Sequence, residues 1–254
     1  METRLLTEKP RKAAPKVALK HAYSPAPGGV ESNLLVLLHG LGDTHVPFLT
    51  LGRTLQAQLP QCAVLSLEAP SQVPMLGGGM WWEHWDELGE VLVPDAQNPS
   101  KAVAALSTLL SSLVDSTGWP AKAIHLLGFG QGASAAAEAA LAWTRSRKGK
   151  DGEQGLGSVV AICGALVSFP TPPATSTPLL YMHRSSATAA SALSSLRRGF
   201  APVVEHKLAA GPDAMPRGTE WGPMLKFWSE GRWRNRGKWE REGEVYAVEP
   251  GAAK

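Results

Sequence analysis

Residues 128–132 have the spacing of a nucleophile elbow but lack its nucleophile. They read Gly-Phe-Gly-Gln-Gly, follow an apolar run at 123–127 and precede a small-residue stretch at 133–137. A strand, a sharp turn and a helix in this order form the context in which a G-x-S-x-G motif presents a catalytic serine. Gly130 occupies the serine position. The spacing therefore predicts the architecture of a serine-enzyme site and, at the same residue, the loss of its usual chemistry.

A second motif, His-Gly-Leu-Gly-Asp-Thr at 39–44, follows the apolar run 34–38. Its glycines allow a sharp turn that points backbone N–H groups towards the strand ends. Beside a nucleophile elbow, such a loop supplies one donor of the oxyanion hole and the residue after the nucleophile supplies the other. We expect these donors to be the N–H groups of Leu41 and Gln131. His39 and Asp43 are expected to hold the shape of the loop and are candidates for lining a groove.

The elements around these motifs alternate between strand and helix. The continuous apolar run 34–38 predicts a strand that is buried on both faces, and strand-like segments are predicted at 62–67, 123–127, 158–166, 179–182 and 202–208. Amphipathic patterns predict helices at 47–58, 101–114, 187–198 and 220–228, besides the helix that opens after the elbow. This alternation predicts an α/β fold with a mainly parallel sheet, helices on both faces and a single domain at 21–230. A basic segment at 1–20 precedes it, and a basic, tryptophan-containing extension at 231–254 follows.

Composition narrows the class of protein. The chain has 254 residues, 44% of them hydrophobic, a net charge of +3 and two cysteines. It has no apolar run of the roughly 20 residues that a membrane span requires, and no secretory signal is recognisable. Cys62 and Cys163 lie in apolar runs and are expected to be free thiols, which favours a cytoplasmic location. The basic ends are expected to be solvated, with no nucleic-acid partner. No cluster has metal-ligand spacing, and no cofactor is expected.

Several motifs together carry a family resemblance. Besides residues 38–44 and 128–132, they are Met-Trp-Trp-Glu-His-Trp-Asp at 80–86, Val-Val-Ala-Ile-Cys-Gly-Ala-Leu at 159–166, Pro-Leu-Leu-Tyr-Met-His at 178–183, and the segment 220–228. On these the chain resembles the acyl-protein thioesterase / phospholipase–carboxylesterase family of α/β-hydrolases, from about residue 33 to 228. The resemblance implies an α/β-hydrolase fold, a shallow acyl-binding groove and esterase or thioesterase ancestry.

The sequence departs from this family at all three catalytic positions. The family's serine falls on Gly130. Its aspartate lies four residues beyond the histidine of a C-H-G-x-x-D segment, which from His183 gives Ala187. Its histidine, counted forward from Gly211 or back from Glu220, falls on Ala214. A serine hydrolase needs the hydroxyl, a base and an acid that orients the base, and this register supplies none of them.

Other residues are poor substitutes for the missing triad. Ser134 lies one helical turn past the elbow and is expected to bond its own backbone. His125 and His206 fall inside predicted strands, as core or surface histidines. Asp213 adjoins the lost histidine position without an identifiable hydroxyl partner, and Cys163 fits no known triad order. Whether other residues replace the triad in an active hydrolase depends on side-chain geometry, which the sequence does not give.

Tryptophans cluster at two places in the chain. Trp81, Trp82 and Trp85 are expected in a loop over the groove, where they either hold an acyl chain or a partner's side chain, or anchor the loop. Trp228, Trp233 and Trp239 interleave with basic residues. Such interleaving suits phosphate binding, although an extension that packs its aromatic rings on the domain is the commoner arrangement.

Three functional interpretations follow. The leading one is a pseudo-hydrolase that acts by binding an acyl or small ester-like ligand, or a protein partner. The second is an active carboxylesterase or thioesterase with an unrecognised nucleophile. The third is a non-hydrolytic enzyme that uses the donors of Leu41 and Gln131 to stabilise an enolate.

Overall fold

The structure is built on a seven-stranded, mainly parallel sheet. The computed structural model describes residues 17–147, 155–172, 175–233, 240–241 and 244–245. In spatial order β1-β3-β2-β6-β7-β8-β9, the edge strand β1 is antiparallel to β3 and the remaining neighbours are parallel. The strands are β1 (His21–Ser24), β2 (Asn33–Leu38), β3 (Cys62–Leu67), β6 (Ile124–Phe129), β7 (Ser158–Ile162), β8 (Leu179–His183) and β9 (Val203–Lys207).

Five helices cover the two faces of the sheet. They are α1 (His45–Gln56), α2 (Ser100–Asp115), α3 (Gln131–Ser146), α4 (Ala189–Gly199) and α5 (Gly222–Ser229). Side chains of α2, α3 and α4 pack on one face with Leu34 and Leu38, whereas those of α1 and α5 pack on the other with Leu35 and Leu37. Every position of β2 is buried, as expected for a parallel strand covered on both sides. The predicted α/β fold in a single domain is confirmed.

Smaller elements join the larger ones. A short hairpin, β4 (Ser71–Gln72) and β5 (Gly79–Met80), lies between β3 and α2. A second one, β10 (Glu240–Arg241) and β11 (Glu244–Val245), lies in the carboxyl-terminal extension. Single 3-10 turns occur at Pro94–Ala96, Ala121–Ala123 and Gly218–Trp221.

The structure corrects the sequence prediction at two strands. The strand predicted over 158–166 ends at Ile162, because Cys163 has a φ of 53° and turns the chain out of the sheet. Strand β1 was not predicted, since its sequence, His-Ala-Tyr-Ser, is short and mostly polar. Residues 1–16 and most of 234–254 lie outside the described residues. The start of the extension is described, and there Trp233 is buried against His125 and Trp228.

Candidate active site

The elbow at Gly130 has the backbone shape that presents a nucleophile. Gly130 follows β6 directly, with φ 52° and ψ −120°, and its carbonyl accepts hydrogen bonds from the N–H groups of Ala133 and Ser134. Its own N–H donates to the Ile162 carbonyl at 2.8 Å. A Cβ built on Gly130 meets no heavy atom within 4 Å. The space that a serine side chain would occupy is therefore open, and the residue has no side chain to place there.

The two flanking glycines of the elbow are required by packing. A Cβ on Gly132 would lie 2.3 Å from the His39 carbonyl oxygen and 2.4 Å from that of Leu38. A Cβ on Gly128 would lie 2.3 Å from the Gly132 oxygen. These distances are far below van der Waals contact, so the start of α3 can approach the end of β2 only with glycine here. The glycines at 128 and 132 are required by close packing, whereas at Gly130 only the positive φ of 52° disfavours a side chain.

The two expected oxyanion donors lie at the carboxyl ends of neighbouring strands. Leu41 is in the turn after β2, and Gln131 is the first residue of α3 after β6. Both residues are partly exposed, and within the described parts of the chain neither N–H group has a hydrogen-bond acceptor. The first turn of α3 contains no acidic residue, so the positive end of the helix dipole is not neutralised there. This arrangement suits a carbonyl oxygen or an anion.

His39 is a buried structural histidine. Its side chain is fully buried, its Nδ1 lies 2.7 Å from the Gly40 carbonyl oxygen, and its Nε2 accepts a hydrogen bond from the Ala69 N–H at 3.0 Å. Burial lowers the pKa of His39, against the opposing effect of the Gly40 hydrogen bond. The neutral ring satisfies both contacts, because Nδ1–H donates and Nε2 accepts. His39 thus holds the loop and leaves no ring nitrogen for proton transfer.

The tryptophan segment is tied to the elbow by Gln131. The Gln131 carboxamide accepts a hydrogen bond from the Trp81 N–H at 2.8 Å and donates one to the Trp82 carbonyl at 2.9 Å. The Trp81 indole donates to the His39 carbonyl at 2.9 Å, and the Trp82 indole donates to Gln97. Trp81 and Trp82 are 1% and 3% exposed. Both rings therefore act as anchors of the loop rather than as exposed groove walls.

Trp85 and Asp43 are more accessible than the buried anchors. Trp85 is partly exposed, packs edge-on against His84 and forms an isolated bridge with Val91. Asp43 is also partly exposed, and its carboxylate accepts a hydrogen bond from the Thr44 N–H at 2.7 Å. Asp43 lines an open cleft that also contacts α1.

The two positions where the sequence predicts the other triad members are alanines. Ala187 is exposed in the turn before α4, and Ala214 is partly buried in the loop after β9. A methyl side chain can neither accept a proton from a nucleophile nor orient a base. Gly130 thus has the elbow backbone conformation, and none of Gly130, Ala187 and Ala214 has a side chain that can transfer a proton.

An ion pair holds the loop that carries Ala214. Arg184, which directly follows β8, is buried and binds both carboxylate oxygens of Glu220 at 3.2 and 3.1 Å. Arg184 also donates to the Ala209 carbonyl at 2.7 Å, and Glu220 accepts from the N–H groups of Ala209 and Arg217. The Arg184 hydrogen bond is the main reason that the pKa of Glu220 falls to about 2. The loop is thus fixed at both ends by charge-assisted bonds.

Cys163 and Asp213 lie together beside the elbow, a pairing that the sequence did not predict. The Cys163 thiol interacts with the Asp213 carboxylate through a hydrogen bond and through its charge. The backbone N–H groups of Arg184 and Ala214 also form hydrogen bonds with the Cys163 sulfur. Burial, followed by the Asp213 charge, raises the pKa of Cys163 to about 11. The available signals were indirect: Cys163 directly follows β7, the strand next to the elbow strand, and Asp213 adjoins the position expected for the family's histidine. At neutral pH the group is a thiol, not a thiolate.

The remaining candidate residues serve the core. Ser134 is buried, and its hydroxyl donates to the Gly130 carbonyl at 3.4 Å. His125 is fully buried, with Nδ1 2.8 Å from the Ser158 hydroxyl and Nε2 3.3 Å from the Asn33 side-chain oxygen. Ser158 also accepts the Trp228 indole N–H at 3.0 Å. The residue types match a Ser–His–Asn triad, but they lie at the amino ends of β2, β6 and β7, where substrate cannot reach them.

Two further classes of feature are missing from the part of the chain that the structure describes. No group of three or more His, Cys, Asp or Glu side chains there could hold a metal ion. None of the helices described is long and apolar enough to cross a membrane.

Comparison with known proteins gives the family. The sequence profile described as Phospholipase/Carboxylesterase matches residues 21–187, which include Gly130 and Ala187 but not Ala214. Uncharacterized hydrolase UM10204 of Mycosarcoma maydis is 41% identical over 233 residues, covering 89% of this chain and 86% of that protein. Uncharacterized hydrolase C9G1.08c of Schizosaccharomyces pombe is 34% identical over 111 residues, covering 41% of this chain and 44% of that one.

Solved structures agree on the fold. The crystal structure of esterase PE8 has a TM-score of 0.66 at 21% identity, and that of Zea mays acyl-protein thioesterase 2 has 0.65 at 20%. Each match covers 84% of this chain and 99% of the other. At these identities the likeness concerns the α/β-hydrolase fold alone. The profile match and the Mycosarcoma maydis relative go further, and the chain belongs to the phospholipase/carboxylesterase family.

Proposed function

We propose that this chain is a catalytically inactive member of its family, which binds an acyl or ester-like ligand or a protein partner. The observation that carries the proposal is the elbow at Gly130, where the backbone has the nucleophile conformation and the side-chain space is open. Ala187 and Ala214 support it, because neither can replace the aspartate or histidine of the family. Free thiols at Cys62 and Cys163 are consistent with a cytoplasmic location, which is part of this proposal.

The expected loss of activity is large. Removing the serine or histidine of such a triad lowers kcat on the order of 10⁶-fold, and removing all three costs about the same, since they act as a unit. A residual rate of roughly 10³–10⁴ over the uncatalysed reaction can persist from the oxyanion donors and substrate binding. This residual rate is too slow for the protein to function as an esterase.

Binding would survive this loss. The Leu41 and Gln131 N–H groups have no acceptor among the described residues, and the start of α3 is electropositive. Both features would favour a carbonyl oxygen or carboxylate next to the open space at Gly130. An ester that an active relative would hydrolyse would here be held intact.

Two measurements test the proposal. Hydrolysis of short- and medium-chain p-nitrophenyl esters and thioesters should stay within the residual rate above. The unhydrolysed p-nitrophenyl octanoate should nevertheless bind in a fluorescence titration. Gln131→Pro, at the helix position that tolerates proline, removes the donor N–H; Gln131→Ala keeps it and controls for the lost side chain. Weaker binding for both variants alike, or turnover at enzymatic rates, would contradict the proposal.

A second candidate function has one observation in its favour. Cys163 lies beside the elbow strand, and the Asp213 carboxylate acts on its thiol. In an active thioesterase, Asp213 would take the thiol proton and the thiolate would attack the acyl carbonyl, expelling the substrate's thiol and forming an acyl-cysteine that water then hydrolyses. The raised pKa of Cys163 opposes this scheme, because it keeps the thiolate scarce at neutral pH. Turnover lost in Cys163→Ala but retained in Cys62→Ala would favour it.

A further inference from the structure

A cleft next to Asp43 of the 39–44 loop contains side chains that could recognise a ligand. It has a volume of about 380 Å³ and lies between α1 and residues 215–221. We propose that it binds a small molecule with an apolar body, one cationic group and one anionic group, of the class of a short hydrophobic peptide. This inference goes beyond the proposed function, since it does not depend on the donors of Leu41 and Gln131.

The floor and walls of the cleft are mainly apolar. Phe48 and Leu51 come from α1, and Met215 and Trp221 come from the opposite segment. Phe48 is buried, and the other three are partly buried. Its volume is within the range of roughly 300–1,000 Å³ that small-molecule sites occupy. Because aliphatic and aromatic side chains both line the space, an apolar ligand body of one or two side chains suits it.

Asp43 provides a fixed negative charge at one wall. Its backbone is held by the Gly79 N–H, which donates to the Asp43 carbonyl at 2.7 Å, and by the Gly42 N–H, which donates to the Gly79 carbonyl at 2.9 Å. One carboxylate oxygen accepts the Thr44 N–H. The Asp43 carboxylate forms no ion pair with any residue that the structure describes. A ligand ammonium group would supply the missing partner.

Arg217 provides the opposite charge at the other wall. The backbone N–H of Arg217 donates to the Glu220 carboxylate at 2.9 Å. Because Arg184 holds Glu220 in place, the Arg217 backbone is anchored. The Arg217 guanidinium makes no ion pair within the described ranges. Arg217 and Asp43 both line the cleft but are not paired with each other. A carboxylate on the ligand would meet the Arg217 fork with bidentate geometry.

This charge pattern selects between ligand classes. A fatty acid would satisfy Arg217 and leave Asp43 unpaired, whereas a simple amine would do the reverse. A short peptide with free termini offers both charges, separated by an apolar body. The pattern therefore favours an amphoteric ligand over either singly charged one.

Calorimetry with the dipeptide leucyl-phenylalanine tests the inference. We expect a Kd of about 100 µM for the unmodified chain, in line with ordinary efficiencies for ligands of this size. Asp43→Asn and Arg217→Gln should each weaken binding about two- to fivefold, since each ion pair would be partly exposed to solvent. The N-acetylated dipeptide should be insensitive to Asp43→Asn, and the carboxamide form should be insensitive to Arg217→Gln.

Two controls make the test decisive. Arg53→Gln removes an exposed charge from α1 outside the cleft lining and should leave the Kd unchanged. Met215→Trp should abolish binding by filling the cleft, with circular dichroism to verify that the variant is folded. No binding at 5 mM, or binding that neither charge variant weakens, would overturn the inference. Either result leaves the prediction on esterase activity untouched, so the two proposals fail separately.

Discussion

Gln131 and Trp81 are joined across the site, because the Gln131 carboxamide accepts the Trp81 N–H at 2.8 Å. The same carboxamide donates to the next carbonyl, that of Trp82, at 2.9 Å. Gln131 thereby fixes the buried tryptophan loop to the first residue of α3. The side chain next to Gly130 thus has a structural role that does not depend on catalysis.

Removing this link should destabilise the fold. Gln131→Ala leaves two backbone groups of the tryptophan loop without partners, which should cost about 1–3 kcal/mol. Urea unfolding monitored by tryptophan fluorescence measures the change. Gln58→Ala changes an exposed residue whose side chain has no hydrogen bond to any described residue, and it should change the unfolding free energy by less than about 0.5 kcal/mol. Equal effects for the two variants would argue against the link.

Gly130 and Gly132 should differ in whether they tolerate substitution by a residue with a side chain. Gly130→Ser meets no steric obstacle, so it should fold at a cost of about 1–3 kcal/mol from the positive φ, without gaining esterase activity. Gly132→Ala would force a Cβ to 2.3 Å from the His39 oxygen and should prevent expression of folded protein. Thermal unfolding and ester hydrolysis distinguish the two. A large gain in activity from Gly130→Ser alone would mean that an unassigned base faces the elbow.

Low pH should reduce the stability that the Arg184–Glu220 ion pair contributes to the loop containing Ala214. The pKa of Glu220 is about 2 in the folded chain, mainly through Arg184, and about 4.3 when unfolded. Because the folded value is depressed, its contribution to stability is present above about pH 4.3 and is lost as the pH falls towards 2. Urea midpoints at pH 6, 4 and 3 should fall less steeply for Glu220→Gln than for the unmodified chain. Glu87→Gln, at an exposed position, is the matched control, and its urea midpoint should fall with pH as steeply as that of the unmodified chain. An equally steep fall for Glu220→Gln would refute the contribution of Glu220 to stability.

The Cys163 thiol should be slow to react at neutral pH. With a pKa of about 11, only about one molecule in 10⁴ carries the thiolate at pH 7. Iodoacetamide labelling, read by intact mass, should rise about tenfold for each pH unit up to pH 10. Cys163→Ala should remove the labelled species, because Cys62 is buried. Rapid labelling at pH 7 would instead point to an activated nucleophile and favour the active thioesterase.

Sequence patterns were sufficient for the fold because short apolar segments alternate with longer helical patterns along the chain. The segments at 34–38 and 62–67 are buried throughout, and their short length favours strands over helices. Strand β1 was not predicted because an edge strand of only four residues shows no clear hydrophobic pattern. The early end of β7 depends on the φ of Cys163, and a positive φ at a residue other than glycine leaves no trace in composition.

The site was predictable only where its residues are adjacent in sequence. The elbow and the 39–44 loop are local motifs, so their residues could be assigned by spacing. The contacts of Arg184 with Glu220 and of Cys163 with Asp213 join residues 36 and 50 positions apart, and nothing local signals either one. Trp81 and Trp82 were recognised as a cluster, but their burial depends on Gln131 and Gln97.

The most direct test of the central claim is fluorophosphonate labelling read by intact mass, with the triple variant Gly130→Ser, Ala187→Asp, Ala214→His as the reference. The unmodified chain should show no added mass and no ester turnover above the residual rate. The triple variant should label at residue 130 if the elbow has kept its geometry. Labelling of the unmodified chain, at whatever residue, would contradict the account and would identify the nucleophile.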